Sequence, residues 1–298
     1  MLYEHPTWST ALVERMVQRG VDVTPIDVGS SPSPDGAFDL WVNRVNTMPS
    51  EGRSPSLVAS FMHLLLSLDA SGAAVVNGFR CHAIGCSKAA QSALFSRLGL
   101  QAPRAVSIES PAAAVRVAEE LVFPVLTKPN VGGSGAGIVR HDTLAQLAAA
   151  VDRNVVDLGI DGTGLVQEVI PSADGLVHRV EILDGELLYA SQQKIQDGFN
   201  YCAADGCSIE DGAIEIVEPD PPLVGMARAI VSAASADIAG VEYLIDARSG
   251  EPTFYDFNPY SNFVSGRDEE LGFSPLDTYI DFLTAQTLHE RQKVHPQG

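Results

Sequence analysis

Lys128-Pro129-Asn130 runs almost directly into Gly132-Gly133-Ser134-Gly135-Ala136-Gly137, which sets a cation at the end of an apolar run and a flexible series of backbone N–H donors behind it. Glycine allows close approach and positive φ, so such a loop can fold over phosphate oxygens. It is not a P-loop, because no Lys-Ser/Thr follows the glycines, and not a nucleophile elbow, because residue 136 is Ala where that motif needs Gly. Standing alone, the run reads equally well as a glycine-rich surface loop.

A second group lies further on, in Gly240-Val241-Glu242-Tyr243 and Tyr255-Asp256-Phe257-Asn258-Pro259. Both segments read as strands joined by a short turn, and period-2 alternation puts Asp256 and Asn258 on one face, within reach of Glu242. Two carboxylates and an amide oxygen are hard ligands of the kind Mg²⁺ takes, with substrate phosphates completing its shell. The alternative is a solvated polar face, which the surrounding Phe254, Tyr255, Phe257 and Tyr260 argue against, since buried unpaired carboxylates are costly. Arg179 and Gln167-Glu168 are ordinary residues by themselves. Only their order among the other motifs gives them weight.

These groups need a scaffold, and the hydrophobic pattern supplies one. Residues 1–85 alternate helix and strand signals: a helix Ala11–Arg19 behind Ser9-Thr10, strands Val21–Val28 and Phe38–Val45, a helix Leu57–Leu68 and a buried strand Ala73–Asn77. This is βαβ organisation with a parallel sheet, and it lacks a G-x-G-x-x-G turn for a dinucleotide. Residues 86–165 read as a small α+β unit. It has a helix Ala89–Leu98 capped by Ser87, a helix from Ser110-Pro111 to Leu121, a strand Phe123–Lys128, the glycine loop, and a helix capped by Asp142. Residues 166–298 open with the end of a strand Leu165–Ile170. A hairpin follows, Arg179–Leu183 and Glu186–Ser191 about Asp184-Gly185, then a helix Pro222–Ala236, strands Val241–Asp246 and Thr253–Asn258, and a last helix Pro275–Arg291.

Composition narrows the function classes. With 19 Lys+Arg against 38 Asp+Glu the 298-residue chain carries a formal charge of −19, and no basic run offers a surface for nucleic acid or anionic lipid. With 45% hydrophobic residues it is a folded protein, and no apolar stretch is long enough to span a bilayer. The opening MLYEHPTWST lacks the layout of a secretory signal, which predicts a cytoplasmic protein. Cys81/Cys86 and Cys202/Cys207 form two C-x4-C pairs, open to a four-thiolate zinc site or to four reduced thiols.

Taken together, the motifs resemble those of the ATP-grasp superfamily. They are Ser87-Lys88, Pro124-Val125-Leu126-Thr127-Lys128-Pro129, the 132–137 loop, Val166-Gln167-Glu168, Arg179, Glu242 and Asp256-Phe257-Asn258-Pro259, over roughly residues 85–265. The fold class implied is α/β and α+β, an ATP-grasp fold behind an N-terminal βαβ pre-ATP-grasp domain. The chain is most similar to ribosomal-protein glutamate ligases and glutathione synthetase, which join a carboxylate to an amine through an acyl phosphate. By that resemblance Lys88 and Lys128 contact ATP phosphates, with Gly132, Gly133, Ser134, Gly135 and Gly137 forming a lid. Gln167, Glu168 and Val169 form the hinge whose backbone reads adenine, and Glu242, Asp256 and Asn258 hold Mg²⁺. Arg179 steadies the transferred phosphoryl group and the developing oxyanion, and Lys194 and Asn200 face the same cleft. Two departures stand out. Val177 replaces an Asp that relatives carry two residues before the Arg, leaving His178 and Glu181 as polar substitutes toward ribose, and the metal strand reads D-F-N where relatives commonly read E-x-N.

The implied function is an ADP-forming C–N ligase of small-molecule or peptide carboxylates and amines, with ATP and Mg²⁺ and without nucleic-acid or membrane partners. The oligomeric state is open, a homo-oligomer included. Rival readings are an intramolecular cyclising ligase like the one that closes D-cycloserine, a non-catalytic nucleotide-binding protein, and a zinc-stabilised interaction module. Substrate choice is expected in the loops 43–52 and 196–212.

Overall fold

The computed structural model describes residues 1–5, 7–30, 38–47, 54–133, 135–195, 214–261, 263–264 and 266–294. Short parallel strands open the chain: β1 (Leu2–Tyr3), α1 (Thr10–Gln18), β2 (Ile26–Asp27), β3 (Trp41–Val42), α2 (Pro55–Ala70) and β4 (Val75–Val76). β1 pairs with β2 and β3 with β4, and a Leu2–Asn43 bridge joins the two pairs. These ladders are shorter than the apolar runs predict because the flanking residues are used for packing instead. Val21 and Val23 pack against Tyr279, Ile280 and their neighbours, and Val45 joins Trp41, Phe61, Leu65 and Leu68 beneath α2. Pro55 suits the first turn of α2, and Ser54 Oγ accepts the Leu57 N–H at 3.2 Å.

A short helix the pattern does not announce, α3 (Phe79–Gly85), leads to α4 (Lys88–Arg97), where Ser87 Oγ accepts the Ala90 N–H at 3.1 Å as its position predicts. The middle of the chain forms β5 (Ala105–Ile108), α5 (Pro111–Ala118), β6 (Val125–Pro129), β7 (Val139–His141), α6 (Leu144–Asp152) and β8 (Gly164–Glu168). The sheet order is β5-β8-β6-β7, antiparallel throughout, with α5 and α6 covering Val125 and Val166 on one face. Thr143, not Asp142, caps α6: its Oγ1 accepts the Gln146 N–H at 3.2 Å, while Asp142 pairs with Arg140.

The remainder comprises β9 (Leu176–Leu183), β10 (Glu186–Lys194), β11 (Ile214–Val217), α7 (Pro221–Ala233), β12 (Ile238–Ile245), β13 (Pro252–Asn258), α8 (Asp268–Leu271) and α9 (Pro275–Val294). Asp184 and Gly185 both take positive φ, as a two-residue hairpin turn requires. The antiparallel sheet runs β11-β10-β9-β12-β13, and one face buries Val180, Val241, Phe254 and Phe257 against α7 and against Leu94 and Phe95 of α4. The first unit is fastened to this sheet by Asn77. Its Nδ2 donates to the carbonyls of Ile238 and Pro259 at 2.8 and 2.6 Å, and its Oδ1 accepts the N–H of Asp237 and Ile238 at 2.9 and 3.2 Å. No helix among the described residues is long and apolar enough to cross a membrane.

Candidate active site

The free faces of the two larger sheets enclose a cleft of about 900 Å³ including its open mouth, and the pairing of β12 with β13 decides what its floor presents. Glu242 stands opposite Asp256, and Gly240 opposite Asn258, so Asp256 and Asn258 share a face as alternation predicts. The next pair is Tyr243 with Phe254, which leaves Tyr255 as the extra residue of a β-bulge. Without the bulge Phe254 would share the face of Asp256. With it, Phe254 turns into the core beside Phe257, and Tyr255 joins Asp256 at the cleft, where its Oη donates to Glu242 Oε2 at 2.8 Å.

Arg179 lies across from Glu242 on β9. Its Nε donates to Glu181 Oε1 at 2.7 Å and its Nη1 to Glu242 Oε1 at 2.9 Å, which fixes the guanidinium between two buried carboxylates. The two lysines arrive from different elements. Lys128 is on the cleft face of β6, and Lys88 begins α4. Asn130 joins them: its Oδ1 accepts from Ser87 Oγ and the Ala89 N–H, both at 3.0 Å, and its carbonyl accepts the Lys88 N–H at 3.1 Å. Lys88 Nζ then reaches Asp256, forming an ion pair.

The roof is the glycine loop. Gly132, Gly133, Gly135 and Ala136 line the cleft, Gly135 and Gly137 take φ of 71°, and Ser134 lies outside the described residues. The lining also includes an apolar set, Pro103, Leu126, Ile138, Val169, Ile170 and Leu244, together with Gln167. A flat aromatic group with few polar atoms fits such walls, whereas the cationic end beside the glycines suits phosphates.

Proteins of known structure share this arrangement. The ATP-grasp ligase PsnB, in complex with a phosphomimetic variant of its minimal precursor, Mg and ADP, superposes with a TM-score of 0.66 at 18% identity, over 96% of this chain and 97% of that one. D-cycloserine synthetase DcsG gives 0.68 at 16% identity, over 95% and 98%. The chain has the ATP-grasp fold. In sequence it is 28% identical over 305 positions to the D-alanine–D-alanine ligase of Paenarthrobacter aurescens (strain TC1), covering 94% of this chain and 76% of that protein. No family model matches the chain.

Within the ATP-grasp cleft, burial and neighbouring charge set the protonation states. Lys128 is 8% exposed, and burial, reinforced by the like charge of Lys88, pushes its ammonium down to about 7. Burial acts to raise Asp256, but Lys88, Lys128 and Arg179 outweigh it and hold its carboxyl below the usual range. Burial lifts the Glu242 carboxyl despite Arg179, with the charge of Asp256 adding to the rise. Among the described residues no three His, Cys, Asp or Glu converge; the hard oxygen donors on this sheet face are the Glu242 and Asp256 carboxylates and the Asn258 amide, whose Oδ1 accepts the Tyr260 N–H at 2.9 Å. A sparse hard-oxygen set of this kind fits Mg²⁺ that keeps phosphate and water ligands, and does not suit zinc.

The structure reassigns several expected site residues. Lys194 is exposed and shares its strand face with Gln192, opposite to the face of Ser191 that pairs with Arg179, so it does not enter the cleft. Strand parity also turns His178 away: it hydrogen-bonds Asp174 at 2.8 Å and stacks on Tyr243. Glu181 is 1% exposed and serves Arg179 rather than a ribose. The Glu168 carboxylate accepts the Val122 N–H at 3.0 Å, a side-chain contact that leaves the expectation for the 167–169 backbone unchanged. Asn200, Cys202 and Cys207 lie outside the described residues, and Cys81 is a buried thiol whose pKa burial raises.

Other residues in or beside the cleft had no role that the sequence could assign. Asn130 and Tyr255 act through long-range contacts, and Gln91 braces β13 by exchanging two hydrogen bonds with Phe257 at 3.1 and 3.2 Å. Leu126 and Leu244 were legible in principle, since each stands two residues from a polar cleft residue on its own strand.

Proposed function

We propose that the protein is an ATP-dependent carboxylate–amine ligase that releases ADP and phosphate. The observation that carries the reading is the convergence of Lys88, Lys128, Arg179, Glu242 and Asp256 beneath the glycine loop, with Asn258 beside them on the same sheet face. A protein that merely stored a nucleotide would have no use for a guanidinium clamped at the cationic end. The carboxylate of the substrate attacks the γ-phosphorus of ATP, the bond to the β-phosphate oxygen breaks, and an acyl phosphate and ADP result. An amine then attacks the acyl carbon and phosphate departs. Lys88 and Lys128 hold phosphate oxygens, Arg179 stabilises charge that develops at the transferred phosphoryl and on the tetrahedral oxygen, and the loop excludes water. Mg²⁺ bound by Glu242, Asp256 and Asn258 would supply further neutralisation of phosphate charge.

The substrates are small carboxylates and amines or peptide ends, as the names of the similar proteins, a D-alanine–D-alanine ligase and a D-cycloserine synthetase, suggest. The test is ADP release over a panel of D- and L-amino acids and dipeptides, with hydroxylamine replacing the amine. The expected result is carboxylate-dependent ADP release with a trapped hydroxamate. ADP formed equally fast without a carboxylate, or AMP and pyrophosphate as products, overturns the proposal. Mass analysis of the product assigns an intermolecular or a ring-closing amine.

A further inference from the structure

Gly240 sits within β12, between Glu181 on β9 and Asn258 on β13. Its backbone is ordinary extended strand and does not take positive φ. No local conformation therefore calls for glycine, which weakens a strand interior by its entropy and its missing side chain. Space does call for it. A Cβ at residue 240 would stand 2.1 Å from Arg179 Nη2, 2.4 Å from Cζ and 2.6 Å from Nε, so the guanidinium fills the volume that any other side chain would claim. The same guanidinium is held at its edges by Glu181 and Glu242.

We infer that Gly240 is the floor of a three-sided seat for Arg179: the two carboxylates fix the direction of the guanidinium and the bare Cα fixes its depth. Gly240 is thus a positioning residue that acts through Arg179, an inference that rests on the ligase reading for its effect on rate. Non-bonded atoms rest at roughly 3.5 Å, so an added methyl forces the guanidinium to shift by more than about 1 Å. A misplacement of that size costs on the order of 10²-fold in rate, and it also loosens the cation from the buried Glu181 carboxylate.

The experiment compares four proteins: wild type, Gly240→Ala, Arg179→Ala and the double variant. Two quantities are read, the Tm of the ATP-free protein and ADP release with the amino acid of the panel that the wild type turns over fastest. Gly240→Ala is expected to lower Tm and to cut kcat about 10²-fold, with a much smaller change in KM for ATP. In the Arg179→Ala background the same substitution is expected to leave the rate unchanged and Tm level or higher, because alanine suits a strand better than glycine once the guanidinium is gone. If Gly240→Ala alone does not fold, folding of the double variant is the expected rescue, and failure of both overturns the inference. Equal losses of Tm in both backgrounds, or wild-type kcat in Gly240→Ala, also overturn it. The Tm comparison needs no turnover. Coupled Tm values with no carboxylate-dependent ADP release in the wild type would sink the ligase reading and leave the seat standing, and additive effects with an active wild type would do the reverse.

Discussion

Raising the pH from 7.5 to 9.5 is expected to weaken ATP binding about 80-fold, through Lys128. Burial and Lys88 hold its ammonium at about 7 in the ATP-free protein, against an ordinary 10.5. Phosphate oxygens at the cleft favour the charged form, so binding above pH 7 takes up a proton. For a free-state value of 7 the factor 1 + 10^(pH − 7) rises from about 4 to about 320 across the interval, which sets the loss of affinity as long as the bound-state value lies well above 9.5. ATP itself is fully ionised throughout, because phosphate's last pKa is near 6. Calorimetry in two buffers of different ionisation enthalpy should show a fractional proton uptake at pH 7.5 that rises toward one at pH 9. The sign for stability follows from the same shift. The folded value lies below the unfolded one, so the unfolded chain holds more protons between pH 7 and 10.5, and the ATP-free protein should gain stability as pH rises through that window. Lys128→Met should abolish both slopes. A pH-independent affinity in the wild type, or the same slope in Lys128→Met, refutes the assignment of a phosphate contact to a buried, near-neutral lysine.

Asp256→Asn is expected to reduce carboxylate-dependent ADP release by at least about 10²-fold, since it removes the partner of Lys88 and a proposed Mg²⁺ ligand; wild-type turnover at saturating Mg²⁺ would take Asp256 out of the site. Gly137→Ala should weaken ATP binding, because a Cβ there meets Asp157 Oδ2 at 2.6 Å and Pro129 Cγ at 2.8 Å on a backbone at φ 71°; wild-type affinity in an ATP titration would mean that this end of the loop can shift without cost. Asn77→Ala should cost about 2–4 kcal/mol in urea unfolding, since it deprives four backbone groups, three of them buried, of their partner; a loss below about 0.5 kcal/mol would mean that those hydrogen bonds do not fasten the first unit to the sheet.

What the sequence determined by itself was local. Ser87 and Pro111 mark helix starts because capping depends on neighbours a few residues away, and Asp184-Gly185 marks the hairpin because its φ requirement is local. The alternation of Asp256 and Asn258 fixed their common face, and the order of the cationic, glycine and acidic motifs indicated the fold. The tertiary structure decided the rest, where the cause lies far along the chain. The bulge at Tyr255 reverses the parity of Phe254 without any local signal, because burying Phe254 beside Phe95 and Tyr243 is what favours the extra residue. Strand parity, known only once β9 and β10 were paired, removed His178 and Lys194 from the cleft. The roles of Asn130, Gln91 and Gly240 arise from partners 41, 166 and 61 residues away in the chain, as with Ala89, Phe257 and Arg179. Side chains reveal their own chemistry in a sequence, but the site also needs groups whose only property is to fit or to leave room, and fit is defined by the neighbours that folding brings.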